Sequence, residues 1–259
     1  MACPLGERAL VPGILDDDER DAVIARFGVP LGQVVRDHVI SHALAAIATL
    51  STDSVVFFGG TALSRTLLPD LRLSEDIDLI ALGDRGKIGA AIQKAIERQF
   101  LRSFGRPTFT PPLGDTRHPN HSVLAVSRAR VRVQLLSSAG YPAWPTEVTD
   151  IEQRYSDAPP ARMRVLTPAA FVAAKLAAWT DRHASRDLYD LWALAESGRI
   201  DVEAARLYAR YGQYTSVAKV SFAEVPTGAA WLNDLGHQGI IAVSPEEAAR
   251  VVRDAVAAL

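Results

Sequence analysis

Two neighbouring stretches decide the fold: VVFFGGTALSR at residues 55–65 and LSEDIDLI at residues 73–80. Val55, Val56, Phe57 and Phe58 form a short continuous apolar run ending in Gly59 and Gly60, the pattern of a buried strand entering a tight turn. The glycines let the backbone come close to a ligand. Thr61 stands where an N-cap opens the next helix, whose free N–H groups and dipole suit a triphosphate. Ile77 to Leu82 reads as a second strand. Side chains alternate along a strand, so Asp76 and Asp78 emerge on one face, about 7 Å apart, while Ile77 and Leu79 enter the core. Such a pair suits a hard cation such as Mg2+, which takes oxygen ligands and leaves room for substrate phosphates. Without a cation, two acids beside an apolar strand cost desolvation and mutual repulsion. Gly-Gly-Thr or Asp-x-Asp alone is commonplace. In the order strand, Gly-Gly, helix, Asp-x-Asp, they deliver a phosphate cradle and a metal pair to neighbouring edges of one sheet.

Working outward, Val34, Val35, Ile40, Leu44 and Ile47 recur at helical spacing before the stop at residues 51–54. A second helical pattern covers residues 87–103. Between residues 105 and 140, prolines and glycines punctuate two alternating runs, 123–126 and 129–136, which predict a hairpin or meander. Pro142 and Pro145 mark a boundary, and beyond Thr167 and Pro168 the pattern is helical over 169–180, 185–197, 202–211 and 245–259. The last helix opens with Ser244 as N-cap, Pro245 and Glu247. The expectation is an α+β protein, with an N-terminal α/β nucleotide-handling unit over 1–145 and a mainly helical unit over 146–259.

GGTALSR, then SEDIDL, then LTPAAFVAAKLAAWTDRHASRDLYDLW at residues 166–192, resemble the AbiEii/AbiGii nucleotidyltransferase toxins. That family includes the mycobacterial MenT toxins and belongs to the DNA polymerase β-like superfamily; the resemblance covers roughly residues 35 to 195. It implies a bi-lobed enzyme that is the toxin of a toxin–antitoxin or phage-defence pair. It also implies an NTP substrate, Mg2+ (or Mn2+) as cofactor, and an RNA acceptor, the 3′ end of tRNA, whose modification stops translation and growth. A cognate antitoxin is an expected partner. Carried over by residue, Gly59, Gly60 and Thr61 match the phosphate-binding turn and Asp76 and Asp78 the metal carboxylates. Ser74 matches a serine near the reacting phosphate, and Lys175 and Asp187 match the Lys and Asp of the two C-terminal motifs. Arg65 and Arg72 fall where the family often carries basic residues, Arg65 as a nucleotide contact.

Read on its own, Lys175 sits in the apolar stretch FVAAKLAAW, where a charge is costly unless it snorkels or meets an anion. Arg186 and Asp190 are spaced for a helix-surface ion pair, with Asp187 one position round. Polymerase β-like enzymes commonly place a third carboxylate on a later strand. Here that strand presents Arg128, Arg130, Arg132 and Gln134 on one face, without an acid. The arginines read either as an RNA-backbone track or as an exposed edge strand charged against aggregation. Arg182 and Arg186 are a second candidate RNA contact. His38 and His42 lack the following Glu of a metalloprotease helix and read as packing or surface histidines. His118 and His121 lie in a Pro-rich loop within reach of a substrate, and Trp144, Trp179, Trp192 and Trp231 read as core.

Composition narrows the rest. The 259 residues carry a net charge of -2, with 48% hydrophobic and 22% charged residues, which excludes a fibrous, disordered or strongly basic chain. Any nucleic-acid contact is therefore a local patch. One cysteine, Cys3, allows no internal disulfide and no cysteine-based zinc site, which points to a reducing compartment. No apolar run reaches the roughly 18 to 20 residues of a membrane span, and the acidic N-terminus lacks a signal-peptide pattern, so a cytoplasmic location without membrane contact is expected. Two other functions stay open: transfer to a protein or a small molecule such as an antibiotic, and a non-catalytic, antitoxin-like nucleotide-binding module.

Overall fold

The computed structural model describes residues 13–115, 120–127 and 129–259. His118 and Arg128 lie outside the described residues, as does Cys3. α1 (Asp17–Phe27) opens on Asp17, Asp18 and Glu19, and Asp16 caps it by accepting from the Asp18 and Glu19 N–H groups. Next, α2 (Leu31–Ile47) is buried along most of its length, because α1, α4 (Arg85–Phe100) and the sheet surround it.

β1 (Val55–Phe58) runs into α3 (Gly59–Ser64), and β2 (Asp76–Ala81) returns antiparallel beside it. After α4 come β3 (Thr108–Thr110), β4 (Ser122–Val126) and β5 (Ala129–Ser137), then β6 (Thr146–Ile151) and β7 (Ala161–Leu166). Together these strands make one seven-stranded mixed sheet in the order β3-β4-β5-β2-β1-β7-β6. β6 and β7 follow residue 145 yet complete the sheet, so the chain turns helical after Leu166. The sequence masked this pair, since β6 (TEVTDI) buries only Ile151 and shows little apolar signal. The order also settles β5. It lies inside the sheet between β4 and β2, not at an edge, so protection of an exposed edge is not what its arginines do.

The helical half comprises α5 (Pro168–Arg182), α6 (Ser185–Glu196), α7 (Val202–Tyr211), α8 (Gly228–Leu235) and α9 (Pro245–Ala257). α5 packs on α6 and α7, and α6 on α9. Thr167 caps α5, and Ser244 caps α9 by accepting from the Glu247 N–H at 3.2 Å. Trp144, Trp179 and Trp231 are buried in the core, and Trp179 Nε1 donates to the Ser221 carbonyl at 2.9 Å. No helix among the described residues is long and apolar enough to cross a membrane.

Candidate active site

Register places the site. Phe58 pairs with Asp78 across β1 and β2, so the chain turns at Gly59 and Gly60 directly beside that carboxylate. Gly59 has φ +78°, and a Cβ there would stand 2.2 Å from Asp78 Oδ2. Only glycine supplies both the left-handed backbone and the clearance. A Cβ on Gly60 would meet the Arg72 guanidinium and Ser74 Oγ, both at 3.1 Å. The helix begins at Gly59, with Phe58 rather than Thr61 in the cap position. Thr61 is therefore not the N-cap that its sequence position suggested. It is buried inside the first turn and its Oγ1 donates to the Asp76 carbonyl, which pins the turn to β2.

Asp76 and Asp78 open into a cavity of about 270 Å³ lined by carboxylates and cations together. The sheet side carries the two carboxylates with Ser74, Arg72 and Arg132. The helical wall carries Lys175, Arg182, Arg186 and Asp187. Burial, with the Asp76 charge alongside, pushes Asp78 up to about 6, although Lys175, Arg182 and Arg186 pull the other way. A carboxylate pair on one face of a rigid strand, one member of it buried, fits a hard divalent cation. Across the sheet, Asp76 pairs in register with Arg132 and Asp78 with Gln134. Arg132 grips Asp76 through two hydrogen bonds of 2.8 and 2.9 Å, and Gln134 lines the cavity beside Asp78.

The cations are held by a network that crosses the helical half. Lys175 Nζ lies 3.2 Å from Asp187 Oδ1 and 2.6 Å from Asp190 Oδ2. Arg182 holds Asp187 at 2.7 and 3.0 Å, and Arg72 holds Asp190 at 2.8 and 2.9 Å. Burial alone would raise Asp187 and Asp190, but their cationic partners hold both below the usual carboxylate range. On the helical wall, Lys175, Arg182 and Arg186 against Asp187 and Asp190 leave a net positive charge. Lys175 is thus buried and ion-paired rather than snorkelling, and Asp190 is taken by Arg72 and Lys175 rather than by Arg186. Arg186 lines the cavity with no hydrogen bond or ion pair among the described residues.

Not every candidate arrives here. Arg65 is 1% exposed and points away from the cleft, donating to the Glu152 carbonyl at 2.8 Å and to Asp37 Oδ1 at 2.7 Å. The nucleotide contact expected of Arg65 is therefore corrected to a structural one: it ties α3 to α2 and to the strand-leaving segment after β6. Replacing Arg65 with Ala should cost about 3–5 kcal/mol, because Asp37 keeps only Arg154 and Tyr155 as buried partners. Chemical denaturation reads the loss, while the folded fraction should keep its KM for nucleotide. Arg130 is exposed on β5 beyond the cavity lining, and His121 reaches the cavity.

Sequence reasoning missed the apolar annex of the cleft, where Phe58, Tyr141 and Phe171 adjoin Gly60 and Asp78. Burial and the Asp78 charge push the Tyr141 hydroxyl up to about 12, so it is neutral. Nothing in the motif GYP announces Tyr141; its place follows from the turn after β5.

Comparison with known proteins gives a family and a fold. A family model described as the nucleotidyl transferase AbiEii toxin of type IV toxin–antitoxin systems matches residues 42–242. Among solved structures, the nucleotidyltransferase toxin MenT4 from Mycobacterium tuberculosis H37Rv aligns with TM-score 0.67 at 19% identity, covering 92% of this chain and 88% of its own. An antigenic nucleotidyltransferase-like protein from Paracoccidioides brasiliensis aligns with TM-score 0.34 at 14% identity, over 84% of this chain and 98% of its own. No curated protein sequence matches.

Proposed function

The chain belongs to the AbiEii nucleotidyl transferase toxin family of type IV toxin–antitoxin systems, and on that premise we propose that it moves a nucleotide from an NTP to an RNA hydroxyl, at the 3′ end of tRNA, and so arrests translation and growth. The observation that carries this reading is the opposition of two walls: a half-buried Asp76/Asp78 pair facing a net-positive Lys175/Arg182/Arg186 wall, with the Gly59–Gly60 turn between them. A metal-bound triphosphate needs both a cation site and anion receptors within one cleft.

Asp76 and Asp78 would hold Mg2+, or Mn2+ in its place; bound there, the cation would neutralise and polarise the reacting phosphate. The chain's own work is positioning. The backbone at Gly59 and Gly60 lets a phosphate lie against the turn, and Ser74 Oγ stands ready to donate to it. Lys175 and Arg186 face the charge that develops on the departing pyrophosphate. Asp187 positions Lys175 and Arg182. No third acid stands opposite Asp78, where Gln134 sits, so the proton of the acceptor hydroxyl would pass to Asp76, Asp78 or the substrate itself, and a cation held there would acidify that hydroxyl. The antitoxin is a further expected partner. Transfer of label from an NTP to RNA tests the reading, with a protein or small-molecule acceptor as the competing result.

Lys175→Ala should raise KM for the triphosphate and lower kcat, with kcat/KM down by about 10²-fold. The fold should survive, since Asp187 keeps Arg182 and Asp190 keeps Arg72. Lys175→Arg should rescue only in part, because a planar fork does not occupy the place of a point charge. Steady-state kinetics against NTP concentration separates the two. On the acceptor side, Arg130→Ala should leave NTP binding intact and reduce the salt slope of RNA affinity by about 0.7. An unaltered slope would move the RNA path to Arg182 and Arg186.

A further inference from the structure

Two histidines on α2 stand outside the cleft chemistry. His38 and His42 are one helical turn apart, their rings meeting edge to face with centroids 4.9 Å apart. Both aim Nε2 at one carboxylate, that of Asp157 in the segment between β6 and β7. His38 approaches its two oxygens at 2.9 and 3.0 Å, and His42 approaches one at 3.0 Å. The three side chains are at most 3% exposed, and Phe104 and Tyr155 wall them in edge-on.

This is neither a surface pair nor simple packing. Two imidazoles and the Gly13 N–H all converge on a single carboxylate, and His42 Nδ1 is left buried with no partner among the described residues. A helix position that needed only volume would be filled by Leu or Phe without an orphaned polar atom. The three donor atoms lie within 4.8 Å of one another. Each Nε2 already stands 2.9–3.0 Å from an Asp157 oxygen, close to the roughly 3.3 Å edge that a tetrahedron of about 2.05 Å metal bonds requires. Two imidazole nitrogens and a carboxylate suit a borderline metal such as Zn2+, whereas Mg2+ prefers oxygen alone.

We propose that His38, His42 and Asp157 form a second metal site, separate from the Asp76/Asp78 pair, which takes a divalent transition-metal ion of the zinc class with water as the fourth ligand. To ligate, each imidazole presents the Nε2 lone pair and carries its proton on Nδ1. The ion ties α2 to the segment that carries Arg154, whose guanidinium donates to the Ser64 carbonyl at 2.6 Å at the end of α3. The site therefore braces the helix that begins with the Gly59–Gly60 turn.

The test uses the full chain, stripped with chelator and titrated with ZnSO4, with CoCl2 or with MgCl2. A Asp76→Asn/Asp78→Asn background removes the cleft carboxylates from the count. That background should bind one zinc per chain, and its Tm should rise by about 5 to 10 °C at a hundredfold excess over Kd. MgCl2 should give no rise in it. Asp157→Asn and His42→Gln should lose both the stoichiometric zinc and the shift. A folded Asp157→Asn protein that keeps both would overturn the site. Should these variants not fold, X-ray absorption at the zinc edge of the unaltered chain decides: two imidazoles in the shell support the site, and an all-oxygen shell or no bound zinc refutes it.

Discussion

Asp78→Asn is expected to abolish nucleotide transfer, by at least about 10³-fold, while making the metal-free protein more stable. Both halves have one cause. In the cleft, burial and Asp76 raise Asp78 from 3.8 to about 6, so the folded state prefers the neutral acid. Between pH 4 and 6 the folded chain therefore binds a proton that the unfolded chain has released, and stability falls as pH rises through that window. Above it the full penalty stands, on the order of 2 kcal/mol for a carboxylate that solvent still reaches in part. Asparagine removes that charge, so at pH 7.5 the variant should melt about 4 to 8 °C higher than the unaltered protein without added metal. Mg2+ should narrow the gap by stabilising only the unaltered chain. Asp76→Ala should lose activity equally but gain no stability, because it forfeits the paired hydrogen bonds with Arg132. Melting curves with and without MgCl2, beside a transfer assay, check each arm. A fully active Asp78→Asn enzyme would remove the metal assignment.

Gly59→Ala should be nearly as damaging to activity, with the opposite effect on stability. Alanine at φ +78° costs about 1–2 kcal/mol in the left-handed region. Its Cβ would also stand 2.2 Å from Asp78 Oδ2, so either the turn or the carboxylate must move. Displacement near 1 Å at a reacting centre costs about 10²-fold in rate. Gly60→Ala is the informative contrast. Its new methyl would meet two side-chain ends at 3.1 Å rather than a carboxylate at 2.2 Å, so a smaller loss is expected.

The elements nearest the motifs were legible because their signals are local. β1, β2 and α5 to α7 show their apolar periodicity or continuous apolar runs, and Ser244 announces α9 outright. The missed elements have weak local signals. β6 is half-exposed over most of its length, and α8 buries only Trp231 and Leu235. The site divides the same way. Alternation along one strand foretells that Asp76 and Asp78 share a face, whereas the partners of a charge depend on tertiary placement. The family resemblance made Arg65 a nucleotide contact, but the end of α3 faces α2, and Asp37 claims it. Asp190 looked like the i, i+4 mate of Arg186, yet Arg72, more than a hundred residues earlier in the chain, holds it instead. His38 and His42 read as ordinary histidines because Asp157, which gives them their meaning, is distant in sequence.

The central claim, that this cleft transfers nucleotides to RNA, is tested most directly by incubating the purified chain with each α-labelled NTP, Mg2+ and total RNA, and then resolving the products. The account predicts label in a tRNA-sized band, from one or more of the four NTPs, dependent on Mg2+ and absent with Asp78→Asn. Label on protein or on a small molecule alone, or label in RNA that persists in Asp78→Asn, would contradict it.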